Sequence, residues 1–395
     1  MTTYVVTLAS DDKIKMSEKA FHALYDKSFF LAVLCIQLFG FIMVFSSSLS
    51  AADSIYGNSF HFVFRHAAYL IIAWSVALLF LSVDSLTWKK LSPYLLLASL
   101  FMLFAVLIVG HEVNGSRRWL NFGLFTVQVT EVVKIFFIMY LAGYLVRRQE
   151  ELQRELKGFI KPLIVVSLIV GLTLMEPDFG AAVVIVATCL VMMFLAGAKL
   201  WQFLVLSLSV SAALAMVAVT QEYRLRRLQS FLDPWSDPFG SGYQLTQSLI
   251  AFGRGDWFGQ GLGNSLQKLS YLPEAHTDFV MAIIAEELGF VGVFLVVALF
   301  LFLFCKVFLI GRQSAKFGNY FSAYLAYGIG VWLSIQTLIN IGVNSGVLPT
   351  KGITLPLLSY GGNSLIVCTA ALAIALRIDY ENRLIKIREK RGEES

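Results

Sequence analysis

The feature that most constrains this chain is a pattern it repeats ten times, a run of about 20 mainly apolar residues bounded by polar or charged ones. At 1.5 Å per residue such a run crosses the ~30 Å hydrocarbon core of a bilayer. Inside lipid every backbone polar group must be satisfied within the chain, and a continuous helix does this. The expected spans are 28–47, 65–83, 93–110, 128–146, 162–176, 179–197, 200–219, 284–309, 320–341 and 359–378. The fold class that follows is an all-α polytopic membrane protein. It has a polar segment at 1–27, a membrane domain at 28–380 and a charged tail at 381–395. Composition agrees, because 57% hydrophobic and 14% charged residues are more apolar surface than a water-soluble core can hide.

Lys and Arg orient the spans. With the N-terminus inside, twenty fall in inward segments and nine in outward ones, and five of those nine sit in one long loop. Positive charge is retained on the cytoplasmic side, so both termini are expected to be cytoplasmic, with a long extracytoplasmic loop between the seventh and eighth spans. Basic residues do not cluster with interleaved aromatics, which argues against nucleic acid and leaves membrane lipids as the counter-surface for the net charge of +5. The cysteines, Cys35, Cys189, Cys305 and Cys368, all lie in apolar runs without metal-ligand spacing and read as buried, inert thiols.

Inward loops are short. Three outward segments, 111–127, 220–283 and 342–358, carry Gly, Pro, Trp and charge without obvious regular structure, and chemistry is expected there. Within the spans, Glu131 and Lys134 are three residues apart on one helix face. They read either as an ion pair locking two helices or as part of a polar cavity for a charged headgroup. Glu176 and Asp178 flank Pro177 at the tip of a helical hairpin, a pattern suited to capping the helix that follows. Most informative is Tyr271-Leu272-Pro273-Glu274-Ala275-His276-Thr277-Asp278-Phe279, followed by Glu286-Glu287-Leu288-Gly289. Thr277 as an N-cap and Asp278 in a first turn would be ordinary capping chemistry. That leaves Glu274, His276, Glu286 and Glu287 unexplained, and five such groups within 14 residues suggest a site. His276 alone is weak support for a metal or a base.

At these residues the chain resembles the SEDS family (shape, elongation, division and sporulation) over essentially 28–380. The stretches that carry the resemblance are Asp233-Pro234-Trp235-Ser236-Asp237-Pro238-Phe239-Gly240-Ser241-Gly242-Tyr243-Gln244, the 271–289 segment, and Pro349-Thr350-Lys351-Gly352-Ile353-Thr354-Leu355-Pro356-Leu357-Leu358-Ser359-Tyr360-Gly361-Gly362. Ala275, where elongation members usually carry Arg, and the sequence Pro349-Thr350-Lys351-Gly352 are similar to the division branch. The chain departs from the family pattern at Val127-Gln128-Val129-Thr130-Glu131, which lacks a helix-start proline, and at Glu176, a position that is often Gln.

The resemblance implies a peptidoglycan glycosyltransferase that uses lipid II and a divalent cation (Mg²⁺ or Mn²⁺). It also implies work beside a class B penicillin-binding protein and other division proteins at the septum of the inner membrane. The family's catalytic aspartate maps onto Asp278. In that chemistry a carboxylate takes the proton of the attacking sugar hydroxyl, while positive charge stabilises the departing pyrophosphate. Arg118, Lys351, Arg117 and Arg65 are candidates for substrate contact, with Glu131, Lys134, Glu274 and His276 beside them. Two other functions fit the same topology, a lipid II flippase and a non-catalytic scaffold for the transpeptidase.

Overall fold

A computed structural model of the chain describes residues 25–113, 116–121, 123, 126–199, 230–350 and 352–390, with scattered positions between 201 and 216. The described elements are α1 (Lys27–Tyr56), α2 (His61–Ser82), α3 (Ser85–Val109), β1 (His111–Val113), β2 (Ser116–Asn121), β3 (Thr126–Gln128), α4 (Val129–Arg147) and α5 (Gln149–Arg154). They continue with α6 (Leu156–Met175), α7 (Phe179–Leu195), α8 (Tyr243–Gly255), α9 (Val280–Lys316), α10 (Tyr320–Asn344) and α11 (Gly362–Lys390). Among the described residues eight helices are long and apolar enough to span a bilayer, and α7 is a shorter apolar helix. The protein is an all-α polytopic membrane protein with one small sheet. The expected span at 200–219 lies mostly outside the described residues.

Two helices begin earlier than their prolines suggest. Pro93 and Pro162 lie inside α3 and α6 rather than at their starts. A proline removes the N–H that would bond the carbonyl four residues back. Here the Ser92 hydroxyl donates to the Lys89 carbonyl at 2.9 Å, and the Tyr144 hydroxyl donates to the Gly158 carbonyl at 2.8 Å. Both stranded acceptors are satisfied, so neither helix has to stop. α3 instead starts where Asp84 caps it, its carboxylate accepting from the Thr87 N–H at 3.2 Å.

α10 packs against α4, α7, α8, α9 and α11, so it is the centre of the bundle. In α4 and α11, 78% of the apolar window is buried inside the protein, against 28% in α2 and α3, which face outward into lipid. Two cysteines differ from expectation for this reason. Cys189 and Cys368 are buried, but Cys35 and Cys305 sit on exposed apolar faces.

The described turns sort to two ends. At one, Asp26 pairs with Lys306 at 2.9 Å and with Arg383 at 3.5 Å. There too Glu381 accepts from the Ser85 N–H and hydroxyl. α11 carries this end well past the expected stop at 378, running as helix to Lys390. At the other end lie the sheet, the 176–178 tip, the 230–279 segment and the 352–361 loop. Arg118 bonds the tip and Tyr360 N bonds the His276 carbonyl. The described parts of all three segments expected to face outward thus share one end of the bundle.

Two of those segments have more regular structure than their sequences announce. β1-β2-β3 form an antiparallel meander with Trp119 opposite Gln128 and Leu120 opposite Val127. α8 buries Leu245, Ser248, Ala251 and Gly255 on one face. α9 is two helices joined at Gly289, which has φ +65°. A Cβ at Gly289 would lie 2.4 Å from Gly259 N, so only glycine fits. The backbone groups freed at this break pair with the loop. Gln260 N and Gly261 N donate to the Glu286 and Glu287 carbonyls, and Phe290 N and Val291 N to those of Asp256 and Trp257.

Candidate active site

Asp278 lies two residues before α9, in a turn shaped by Glu274. With φ +58°, Glu274 reverses the chain so that its carbonyl accepts from the N–H groups of Thr277 (3.1 Å) and Phe279 (3.2 Å). Thr277 does not cap the helix as its position suggests; its hydroxyl donates to the Glu274 carboxylate at 2.7 Å. Asp278 therefore stands outside the helix, half-buried, on an ordered turn.

Two asparagines from α10 fix the backbone of that turn. Asn340 Nδ2 donates to the Asp278 carbonyl at 2.8 Å and to the Ile353 carbonyl at 2.7 Å. Asn344 Nδ2 donates to the same Asp278 carbonyl at 2.9 Å, while its Oδ1 accepts from the Ala282 N–H at 3.2 Å. One further turn down α10, Gln336 Nε2 donates to the Thr354 carbonyl at 3.2 Å. The 352–361 loop is thus held directly over Asp278. Gly352 lies so near that a Cβ there would be 2.9 Å from Asp278 Oδ2. Sequence reasoning missed Gln336, Asn340 and Asn344. Their signal was available, since amide side chains four residues apart in an apolar span share one helix face.

The other expected residues fall into three places. His276 and Arg65 are near the Asp278 turn. His276 is buried, its ring 4.4 Å from Phe62 and 5.5 Å from Tyr360. Burial lowers its pKa, against an opposing pull from Glu274, so at neutral pH it is an uncharged packing group. Arg65 is exposed, and its charge lies close enough to Tyr360 to act on that phenol. Burial and the nearby Tyr69 push the Tyr360 phenol up to about 12, so it stays protonated.

The second place is the hairpin tip. β2 presents Arg117 and Arg118 to opposite sides, as adjacent strand residues must. Arg117 is exposed, whereas Arg118 donates to the Glu176 carbonyl at 3.2 Å and the Pro177 carbonyl at 2.6 Å, closing the end of α6. Asp178 caps α7 by accepting from the Ala181 N–H at 3.1 Å, and also accepts from the Thr130 hydroxyl. Glu176 is fully buried, and among the described residues neither of its carboxylate oxygens has a hydrogen-bond partner. Burial, then the Asp178 charge, pushes its pKa up to about 8, with Arg118 pulling the other way.

The third place is the bundle interior. Lys134 Nζ pairs with Glu131 at 2.8 Å and donates to Gln336 Oε1 at 2.9 Å, with Trp332 Nε1 on the same oxygen. Lys351 lies outside the described residues.

Glu286 and Glu287 do not join Asp278. Glu286 is fully buried and holds the loop, accepting from Arg254 (2.7 Å), the Ser265 hydroxyl and the N–H groups of Leu266 and Gln267. Glu287 pairs with Lys268 at 2.8 Å and accepts from Ser46. The five clustered groups therefore divide into a presented turn and a buried anchor. Among the described residues no three His, Cys, Asp or Glu side chains converge as a metal cage.

A family model for cell-cycle proteins of the FtsW, RodA and SpoVE type matches residues 26–384. A probable peptidoglycan glycosyltransferase FtsW from Alteromonas naphthalenivorans is 53% identical over 360 residues, 91% of this chain and 70% of that one. Its counterpart from Coxiella burnetii is 52% identical over 90% of this chain and 96% of its own. Among solved structures, a chain of a peptidoglycan synthase complex that coordinates polymerization and crosslinking superposes with a TM-score of 0.75. It is 28% identical and covers 91% of this chain and 98% of its own. The rod-shape-determining protein RodA of Thermus thermophilus gives a TM-score of 0.68 at 26% identity, covering 91% of this chain and 97% of its own. With its matched length, its shared bundle and its ordered Asp278 turn, the chain belongs to the FtsW/RodA/SpoVE family of cell-cycle membrane proteins, the SEDS family.

Proposed function

We propose that the protein is a peptidoglycan glycosyltransferase that polymerises lipid II into β-1,4-linked glycan, with Asp278 as the general base. The observation that carries this reading is the presentation of Asp278. It is half-buried, at the bundle end where the loops gather, with its carbonyl held by two asparagines and its carboxylate beside the side-chain-free Gly352. The 4-hydroxyl of the acceptor sugar must lose its proton as its oxygen attacks the anomeric carbon, and a positioned carboxylate contributes about 10²- to 10⁴-fold to such a step. Attack opposite the departing lipid pyrophosphate inverts an α-linked donor into a β-linked product.

Pyrophosphate leaves without a general acid but gains from nearby positive charge. Arg65, whose charge acts on Tyr360 beside the His276 turn, is one candidate cation. Arg117 and Lys351 are the further candidates. Arg118, already spent on two carbonyls, serves by holding the tip. Mg²⁺ in phosphate-handling sites needs only one or two carboxylates, with phosphates and water completing its shell. Glu274, exposed on the Asp278 turn, suits that donor set, and the ion would neutralise charge on the leaving pyrophosphate.

The loop-rich end faces outward at the septum of the inner membrane, both termini are cytoplasmic, and the partner is a class B penicillin-binding transpeptidase. The test is glycan formation by the purified full chain with its transpeptidase, lipid II and Mg²⁺. Asp278→Asn is expected to lower the rate at least 100-fold with folding retained. An unchanged polymer yield would remove the base assignment, and headgroup translocation in liposomes without polymer would favour the flippase.

A further inference from the structure

α10 carries Trp332, Gln336, Asn340 and Asn344 at four-residue spacing, one polar stripe along the central helix of an apolar bundle. All four are buried. Every amide on the stripe is spent on a group from a different element. Gln336 receives Lys134 from α4 and Trp332 from its own helix, and donates to Thr354. Asn340 bridges Ile353 to Asp278, and Asn344 joins Asp278 to Ala282 at the start of α9. Buried amides that make three or four good bonds are rigid, because any rotation strands a donor or acceptor in a medium without water.

We propose that Asn340 is a positioning residue for glycosyl transfer, setting the distance between the Asp278 carboxylate and the 352–354 loop. Asn340 is the one described residue whose amide donates to both the Asp278 and the Ile353 carbonyls. A single NH₂ group with two acceptors fixes their separation, much as a bolt fixes two plates. The Glu131–Lys134 pair acts at the far end of the same stripe. Lys134 orients the Gln336 amide so that its NH₂ meets the Thr354 carbonyl, which places this ion pair in the loop's support rather than in contact with substrate. The inference rests on the reading of Asp278 as the base and adds how that base is aimed.

A residue that aims a base changes turnover more than binding, because misplacement by about 1 Å costs about 100-fold in rate. The test compares Asn340→Ala, Asn340→Asp and Asn344→Ala in the full chain with its transpeptidase, using lipid II polymerisation. Asp278→Asn is run alongside, and thermal unfolding is followed in detergent. Asn340→Asp keeps the shape while losing the NH₂, so it carries the test if the alanine variant does not accumulate. The expected result for both Asn340 variants is a fall in kcat of at least 10-fold with KM within twofold. Asn344→Ala, which leaves the Asn340 bridge between the Asp278 and Ile353 carbonyls in place, is expected to lose less than Asn340→Ala. A wild-type kcat in Asn340→Asp, or a loss confined to KM, overturns the proposal. The base reading then stands or falls separately on Asp278→Asn.

Discussion

Replacing Gly352 by alanine should slow catalysis while leaving the fold intact. The added Cβ would sit 2.9 Å from Asp278 Oδ2, and the next nearest atom is Asp278 Cγ at 3.9 Å. No backbone atom lies in the way. Gly352 is not among the left-handed glycines, so alanine suits its backbone. A relaxed carbon–oxygen contact is about 3.3 Å, so the carboxylate must retreat by about 0.4 Å. Turning a side chain that far off its rotamer costs about 0.5–1.5 kcal/mol. In a protein of this size that is a melting shift of under about 3 °C. Rate is more sensitive. If about 1 Å of misplacement costs about 100-fold, 0.4 Å corresponds to about 5- to 10-fold in kcat. The measurement is steady-state polymerisation of lipid II beside thermal unfolding in the same detergent. Gly253→Ala, in α8 with nothing within 4 Å of its Cβ position, is the control that should change neither. A Gly352→Ala enzyme with wild-type kcat would show that this carboxylate is not where the chemistry needs it. A large melting loss would show that the loop, not the carboxylate, had taken the strain.

Other outcomes follow from the buried acids. Glu286→Ala removes the acceptor for Arg254, Ser265 and two backbone N–H groups, and should cost about 3–5 kcal/mol by breaking a buried ion pair from one side. Denaturant unfolding in micelles checks this, and a loss below about 1 kcal/mol would contradict the anchoring role. Glu176 has a folded pKa of about 8 against an ordinary 4.5, so the folded state holds this proton longer than the unfolded one. Its contribution is neutral below about pH 4.5, and stability falls as pH rises to about 8, by at most about 5 kcal/mol. Glu176→Gln should flatten that decline, and parallel stability curves at pH 5, 7 and 9 for the two proteins would contradict it.

The sequence carried the bundle well, because ~30 Å of hydrocarbon demands long uncharged runs and few structures satisfy that demand. It marked the neighbourhood of Asp278, since polar residues crowd there at the edge of a span, but pointed to a first helical turn capped by Thr277 where Glu274 instead turns the chain before the helix begins. What it hid lay in short elements and in the partners that side chains find. Pro93 and Pro162 looked like helix starts until the Ser92 and Tyr144 hydroxyls were placed on the freed carbonyls. The strands at 111–128 are three to six residues long, too short for an alternating pattern to declare itself. Glu286 and Glu287 looked like part of one site with Asp278 because they are charged and close to it in sequence. Only their ties to Arg254 and Lys268 show them to be anchors.

The break at Gly289 separates two mechanical duties within α9. Phe290–Lys316 faces lipid along Phe294, Leu295, Leu301 and Leu309 and must tilt to suit whatever membrane thickness it meets. Val280–Leu288 is tied through the Glu286 and Glu287 carbonyls to Gln260 and Gly261 and through Ala282 to Asn344, and the first residues of the long part, Phe290 and Val291, are tied to Asp256 and Trp257. The 256–261 segment therefore clasps both sides of the glycine break, so a tilt of the long part is referred to the same loop that holds the short one. On the proposed mechanism, this shared clasp keeps the Asp278 turn and the lipid-facing helix in one frame as the thickness of the surrounding bilayer changes.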